Sequence, residues 1–242
     1  MIHGAPRTPR AKRRDASLQR ILDEAMALVA RDGLDGLSMA RLAQAADYTP
    51  GALYRYFDSK DALLSRLVER ILGDIRAVLD EVVDDLPATA TPLTHVIALA
   101  HAYRRFARLE PHRFGLLAMT MAEPRILIVD DAHAAPAAEA VLAALRPLAA
   151  ALTEATAAGE LGPAASPATA IDRGLALFAA LQGALQLAKL ARFAPGVLDV
   201  ARLSRESTRT LLIGWGADAA RVDAAFTEIE TRFPLASPGG PT

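Results

Sequence analysis

Between Ser38 and Lys60 the chain gathers side chains suited to gripping a polyanion. Thr49 offers a hydroxyl, and Pro50, Gly51 and Ala52 are small enough for the backbone to approach another surface closely. The Ala52 methyl is also of a kind that can touch the methyl of a thymine. Tyr54 and Tyr56 carry O–H groups for phosphate oxygens, Ser38 carries a further hydroxyl, and Arg41, Arg55 and Lys60 carry cations. Lys60, one of three lysines among 27 basic residues, stands where a helix is expected to start. Free N–H groups and the helix dipole attract phosphate there. Bond-breaking chemistry is thin elsewhere. With no cysteine, the chain has no thiol catalysis, disulfide scaffold, Cys-ligated zinc or iron–sulfur cluster. His95 and His101 fall on different helix faces, no His-Glu-x-x-His run occurs, and Asp130-Asp131-Ala132-His133 reads as a solvated loop. No metal, cofactor or catalytic residue is expected. Gly214-Trp215-Gly216-Ala217-Asp218-Ala219 spells a nucleotide-loop pattern but follows a helical segment instead of a strand, so it reads as a helix–helix turn.

These side chains need a frame, and the periodicity supplies one built of helices. A helix is expected over about 15–32, with Leu18, Ile21, Leu22, Ala25, Leu28 and Val29 on one face and Gly33 as its stop. Ser38 is an N-cap candidate for a short helix through Ala46, with Leu42 and Ala43 inward. Asp47 and Tyr48 make a tight turn. Thr49 then caps a brief helix ending near Phe57, with Pro50 at the first position, where its missing N–H is harmless. Ser59 caps a longer helix over about 60–83, roughly 35 Å in length. Short helix, turn and short helix describe a helix-turn-helix, whose second helix enters a DNA major groove by its N-terminus. Farther on, helices are expected over 92–108, 111–122, 136–158 (bent at Pro147), 199–215 and 217–232, with a strongly apolar stretch at 167–192. Residues 126–129 read as strand, helix or loop.

Composition agrees with an all-α chain: 53 residues are alanine and only 5% are aromatic. The net charge of −1 conceals a division, because residues 1–65 hold ten basic and eight acidic side chains. The remainder holds 17 and 20. Residues 1–14, with Gly4, Pro6, Pro9 and five cations, read as a disordered basic arm. No apolar core follows those cations, so no signal peptide is expected. The most apolar stretch, 174–188, holds two glutamines and is short for a bilayer, so no membrane partner is expected either.

Leu37-Ser38-Met39-Ala40-Arg41-Leu42-Ala43-Gln44-Ala45-Ala46, Thr49-Pro50-Gly51-Ala52-Leu53-Tyr54-Arg55-Tyr56-Phe57 and Ser59-Lys60-Asp61-Ala62-Leu63-Leu64 together resemble the DNA-binding domain of the TetR/AcrR family of bacterial regulators. The resemblance spans about residues 15–65. It implies a three-helix DNA-binding head and a helical body that dimerises and holds a small ligand. It also implies backbone contacts from Ser38, Tyr54, Tyr56 and Lys60, and base contacts around Thr49 to Ala52. Two departures stand out. Asp47-Tyr48 replaces the family's Gly and small aliphatic residue; Asp tolerates a left-handed backbone, while Tyr48 projects towards DNA or swings to the surface. Ala40 stands where some relatives carry a long polar base reader, leaving Arg41 or the arm to compensate. Residues 176–187 resemble the Trp…His-Gly segment of one C-terminal subclass, with Phe178 and Gln182 in place of Trp and His.

The expectation is therefore four regions: the arm at 1–14, the head at 15–65, a ligand-binding and dimerisation body at 66–234, and a tail at 235–242. Tyr103, Phe106, Phe114, Leu117, Met121, Phe178, Leu181 and Gln182 are candidate effector-lining residues. The apolar faces of 171–190 and 203–213 are candidate dimer helices. The expected activity is that of a cytoplasmic homodimeric repressor, binding a near-palindromic double-stranded operator and released by a small apolar effector. An activator, a ligand-independent DNA-binding protein and an all-α enzyme with a vestigial head are the alternatives.

Overall fold

Local capping decides where most of the helices begin. The computed structural model describes residues 8–122, 128–163, 168–191, 193 and 197–235. These residues form eleven α-helices and no strand: α1 Pro9–Asp32, α2 Met39–Ala45, α3 Pro50–Leu53, α4 Lys60–Asp84, α5 Pro92–Leu109, α6 Pro111–Ala122, α7 Asp131–Ala157, α8 Ala168–Gln186, α9 Ala188–Ala191, α10 Val200–Gly214 and α11 Ala219–Arg232. Thr8, Ser38, Thr49, Thr91, Asp199 and Asp218 each accept a hydrogen bond from the third residue onward, satisfying one of the N–H groups a helix start leaves free.

Several boundaries differ from expectation, each for a local reason. Residues 9–14, expected in a disordered basic arm, are helical instead, because Thr8 caps α1 and Pro9 takes its first position; residues 1–7 lie outside the described residues. α7 begins five residues before Pro136, with the Asp130 Oδ1 accepting from the Ala132 N–H at 3.0 Å. Residues 123–127, including part of the strand, helix or loop alternative, lie outside the described residues, and Ile128 to Asp130 are irregular. α7, and not the apolar stretch at 174–188, is the one described helix long and apolar enough to cross a membrane by length and composition. Its apolarity is mostly alanine, which favours helix without demanding deep burial.

The chain divides into two compact units. The first joins Met1–Ile71 to His112–Ala140, so residues 112–140 cluster with the head instead of the body. Its core includes Ile21, Leu22, Leu42, Leu53, Phe57, Leu63 and Leu67, all with at most 2% of their surface exposed. The second joins Leu72–Pro111 to Val141–Thr242. There α5 packs on α8 and α11, and α10 packs on α8 and α11. The Arg209 guanidinium grips the Asp223 carboxylate between α10 and α11 with two bonds of 2.7 and 2.9 Å. The glycine pattern at 214–219 is a helix–helix turn, as its context implies. Gly216 has φ +94°, and the Gly162 N–H donates to the Trp215 carbonyl at 2.7 Å. A Cβ on either Gly162 or Gly216 would meet the other strand of backbone at 3.0 Å, so both positions favour glycine.

Candidate nucleic-acid interface

The head presents its polar side chains because two large apolar ones are pinned inward. Leu53 and Phe57, at 0% and 2% exposure, lie four residues apart and anchor α3 and the turn after it. Thr49, Pro50, Gly51, Tyr54 and Arg55 consequently face outward, Ala52 and Tyr56 are half-buried, and Lys60 is exposed at the start of α4. The Thr49 Oγ1 accepts from the Ala52 N–H at 3.2 Å, so this exposed threonine also shapes the helix start. Regular α-helix stops at Leu53, earlier than expected; Tyr54 to Tyr56 continue as turns.

The turn before α3 keeps its geometry despite its unusual residues. Asp47 has φ +59°, the left-handed conformation that short polar side chains tolerate better than most. The Tyr48 N–H reaches back to the Ala43 carbonyl at 2.8 Å. Of the two placements open to Tyr48, the structure has its ring edge-on to Tyr56, with centroids 5.7 Å apart, and its hydroxyl accepting from Arg20 at 3.2 Å. Hydrogen bonding with Ser17, then with Arg20 and Tyr56, lowers its phenol below the usual pKa against an opposing effect of burial.

Arg41 is placed differently from expectation. Its guanidinium donates to the Gly36 carbonyl at 2.8 Å and pairs with Asp32, turning it back to the end of α1. Ser38 is half-buried, and its Oγ accepts from the Arg41 N–H at 3.3 Å. Arg10, Lys12, Arg13 and Arg14, expected in a disordered arm, stand instead on α1. Arg10, Arg13 and Arg14 line a cleft of about 650 Å³ with Ser17, Arg55 and Tyr56. Thr8-Pro9, a cap followed by a first-turn proline, was the signal that could have found them.

The Asp130–His133 stretch is also engaged. The Asp61 Oδ2 accepts from the N–H groups of Val129 and Asp130 at 2.8 and 3.0 Å. His133 lies 2.7 Å from Asp130 through Nδ1 and 3.2 Å from Asp58 through Nε2. The segment before α7 is thereby tied to the start of α4, immediately after the exposed edge. Among the described residues, no group of three or more His, Asp or Glu side chains is arranged to hold a metal ion.

The effector candidates divide between the units. Phe114 and Leu117 are buried in the first; the Met121 side chain lies outside the described residues. In the second, Phe106 and Leu181 are buried, and Tyr103, Phe178 and Gln182 come together. The Tyr103 hydroxyl donates to the Gln182 Oε1 at 2.5 Å, and the Tyr103 and Phe178 rings are 5.6 Å apart.

Residues 21–67 match the model for bacterial regulatory proteins of the tetR family, and residues 96–211 match the tetracyclin repressor-like C-terminal domain. The HTH-type transcriptional repressor KstR of Mycobacterium tuberculosis is 32% identical over 117 residues, covering 48% of this chain and 49% of that protein. The chain spans less than half the length of the curated relatives it matches. A Rhodococcus sp. RHA1 protein of unknown function is similar in structure, with a TM-score of 0.64, 25% identity and coverage of 88% of this chain and 97% of that one. The Thermus thermophilus repressor FadR, solved with lauroyl-CoA, shares the fold at a TM-score of 0.57 and 22% identity, over 81% of this chain and 93% of its own. With a family head on the exposed helix-turn-helix and a family body beyond it, the chain belongs to the TetR family of DNA-binding transcription regulators.

Proposed function

We propose that the protein is a ligand-released repressor that binds operator DNA as a homodimer. The observation that carries this reading is the outward edge formed by Thr49, Gly51, Tyr54, Arg55 and Lys60 once Leu53 and Phe57 are buried. Thr49 to Ala52 meet base edges in the major groove. Ser38, Tyr54, Arg55, Tyr56 and Lys60 hold phosphates, and the α1 arginines extend the cationic surface. Arg41 serves the head's internal packing. The head at 15–65 reads DNA and the body at 66–234 senses and dimerises, with no catalysis required and the cytoplasm as its place of action.

Dimerisation is supported by apolar side chains left exposed in the second unit: Ile171 and Leu175 on α8, and Leu187 and Leu190 at α9. Ile171, Leu175, Ala179 and Gly183 recur every four residues, the spacing of one helix face that can pack closely on a second copy. The repressor sense is supported by the names of KstR and FadR, and an effector with an apolar portion by the lauroyl chain of the lauroyl-CoA bound to FadR.

Footprinting on the chain's own upstream region tests the reading. A protected near-palindrome, lost on adding an apolar effector or one with an apolar acyl chain such as lauroyl-CoA, is expected. Equal binding to unrelated duplexes would overturn it. The dimer is tested separately by light scattering: Leu175→Asp should yield monomers that have lost operator affinity.

A further inference from the structure

Among the described residues, one buried side-chain nitrogen or oxygen has no hydrogen-bond partner: the Gln182 Nε2. We propose that this amide is the polar anchor for the effector, and that the part of the effector reaching it is uncharged, mainly apolar and presents a carbonyl oxygen. The inference rests on the reading of the second unit as the effector-sensing domain.

The argument starts from the helix. Phe178 and Gln182 are four residues apart on α8 and so share a face. Tyr103 reaches them from α5, and both Tyr103 and Gln182 are 7% exposed. A primary amide has two N–H donors and a carbonyl acceptor. The carbonyl is used by the Tyr103 hydroxyl at 2.5 Å, which holds the amide and fixes where its Nε2 points. The two N–H groups on Nε2 have left water without a partner, and an unmet buried donor is costly. Tyr103→Phe with Gln182→Leu would remove both polar groups at little change in volume, so packing alone does not call for this pair.

The same unit satisfies its other buried polar groups. The Arg173 guanidinium donates to the Gly162 carbonyl and the Thr156 hydroxyl, His101 meets the Phe233 carbonyl, and the hydroxyls of Ser204 and Thr208 donate to carbonyls one turn back. The orphan is therefore a local feature of the Tyr103–Phe178–Gln182 cluster. Its chemistry selects the ligand. Burial raises the Tyr103 phenol's pKa, so at neutral pH phenol and amide are both uncharged. The buried cations on the same two helices have other charges or acceptors to meet: Arg104 feels the carboxylates of Glu230 and Asp199 along with the cation of Arg205, and Arg173 holds the Gly162 loop. A ligand carboxylate would have only neutral dipoles to meet, whereas a carbonyl oxygen beside an apolar body matches two N–H donors next to two rings.

The test uses two small probes of one shape, acetophenone and ethylbenzene, with the full-length chain. The quantity read is the ratio of their dissociation constants, which cancels differences in size and fold stability. In passing from wild type to Gln182→Leu, the preference for acetophenone should fall about tenfold, the worth of one net hydrogen bond. Gln182→Met, which keeps an unbranched chain, should give the same loss and provides for the case in which the leucine variant does not fold. A role confined to packing would change both affinities alike and leave the ratio unmoved, which would overturn the proposal. Failure of the wild type to bind either probe would overturn it too. The broader reading is tested apart, by operator release: release by an apolar ligand with an unchanged probe ratio sinks the anchor alone. A shifted ratio without any effect on operator binding sinks the effector role and leaves the anchor.

Discussion

Replacing Lys60 by alanine separates DNA contact from head architecture. Lys60 is exposed on the first residue of α4, and no carboxylate lies within ion-pairing distance of it among the described residues. A cation at a helix N-terminus gains nothing from the helix dipole, so its removal should leave thermal stability unchanged or slightly higher. Its loss should be felt on DNA instead. Each phosphate neutralised steepens the dependence of log binding constant on log salt by about 0.9, so one contact per protomer removes about 1.8 from the slope of a dimer. Between 50 and 200 mM salt, that difference should shrink the affinity gap between wild type and variant about tenfold. Fluorescence anisotropy on the operator and on an unrelated duplex measures both slopes, and Lys60→Arg should retain them. An unchanged slope, or a loss confined to the operator, would refute the assignment of Lys60 to phosphate.

Other perturbations address the frame. Asp47, at φ +59°, should accept glycine with little change, whereas Asp47→Val should destabilise the head by about 1–2 kcal/mol in urea unfolding, since a branched residue resists that conformation. Burial, aided by repulsion from Arg104, pushes His101 down from 6.5 to about 4, and its Nε2–H donates to the Phe233 carbonyl at 2.7 Å. The neutral ring belongs to the fold, so the unfolded chain binds the extra proton. Stability should be complete above about pH 6.5 and decline by ~3 kcal/mol as pH falls towards 4, a slope that His101→Gln should flatten. Arg173→Leu should cost about 1–3 kcal/mol by freeing the Gly162 carbonyl inside the fold; a melting temperature equal to wild type would contradict that clamp.

Short-range features were legible residue by residue. Ser38, Thr49 and Pro50 act within one helical turn, and the structure caps and opens α2 and α3 at those positions. The inward placement of Leu42 and Ala43 follows from helical period alone. The same local rule holds at Thr8-Pro9, which opens α1 within a stretch whose glycine, proline and charge otherwise suggest disorder. α3 ends at Leu53, short of the expected end near Phe57, and nothing in its own spacing marks Tyr54 as a stop.

What the sequence determined by itself is thus the helical class, most helix starts, and the type of side chain offered around the turn. These depend on backbone chemistry and on neighbours three or four positions away. Tertiary structure alone decided that Arg41 turns to Asp32 and Gly36, that Asp61 receives the N–H groups of residues 129 and 130, and that Gly162 and Gly216 come within a Cβ of each other. It also decided that Gln182 meets Tyr103, 79 positions away, through one end of its amide only. Hydrogen bonds and close packing depend on atoms brought together through space, and a side chain's composition says what it can bond, not which partner the fold will set before it.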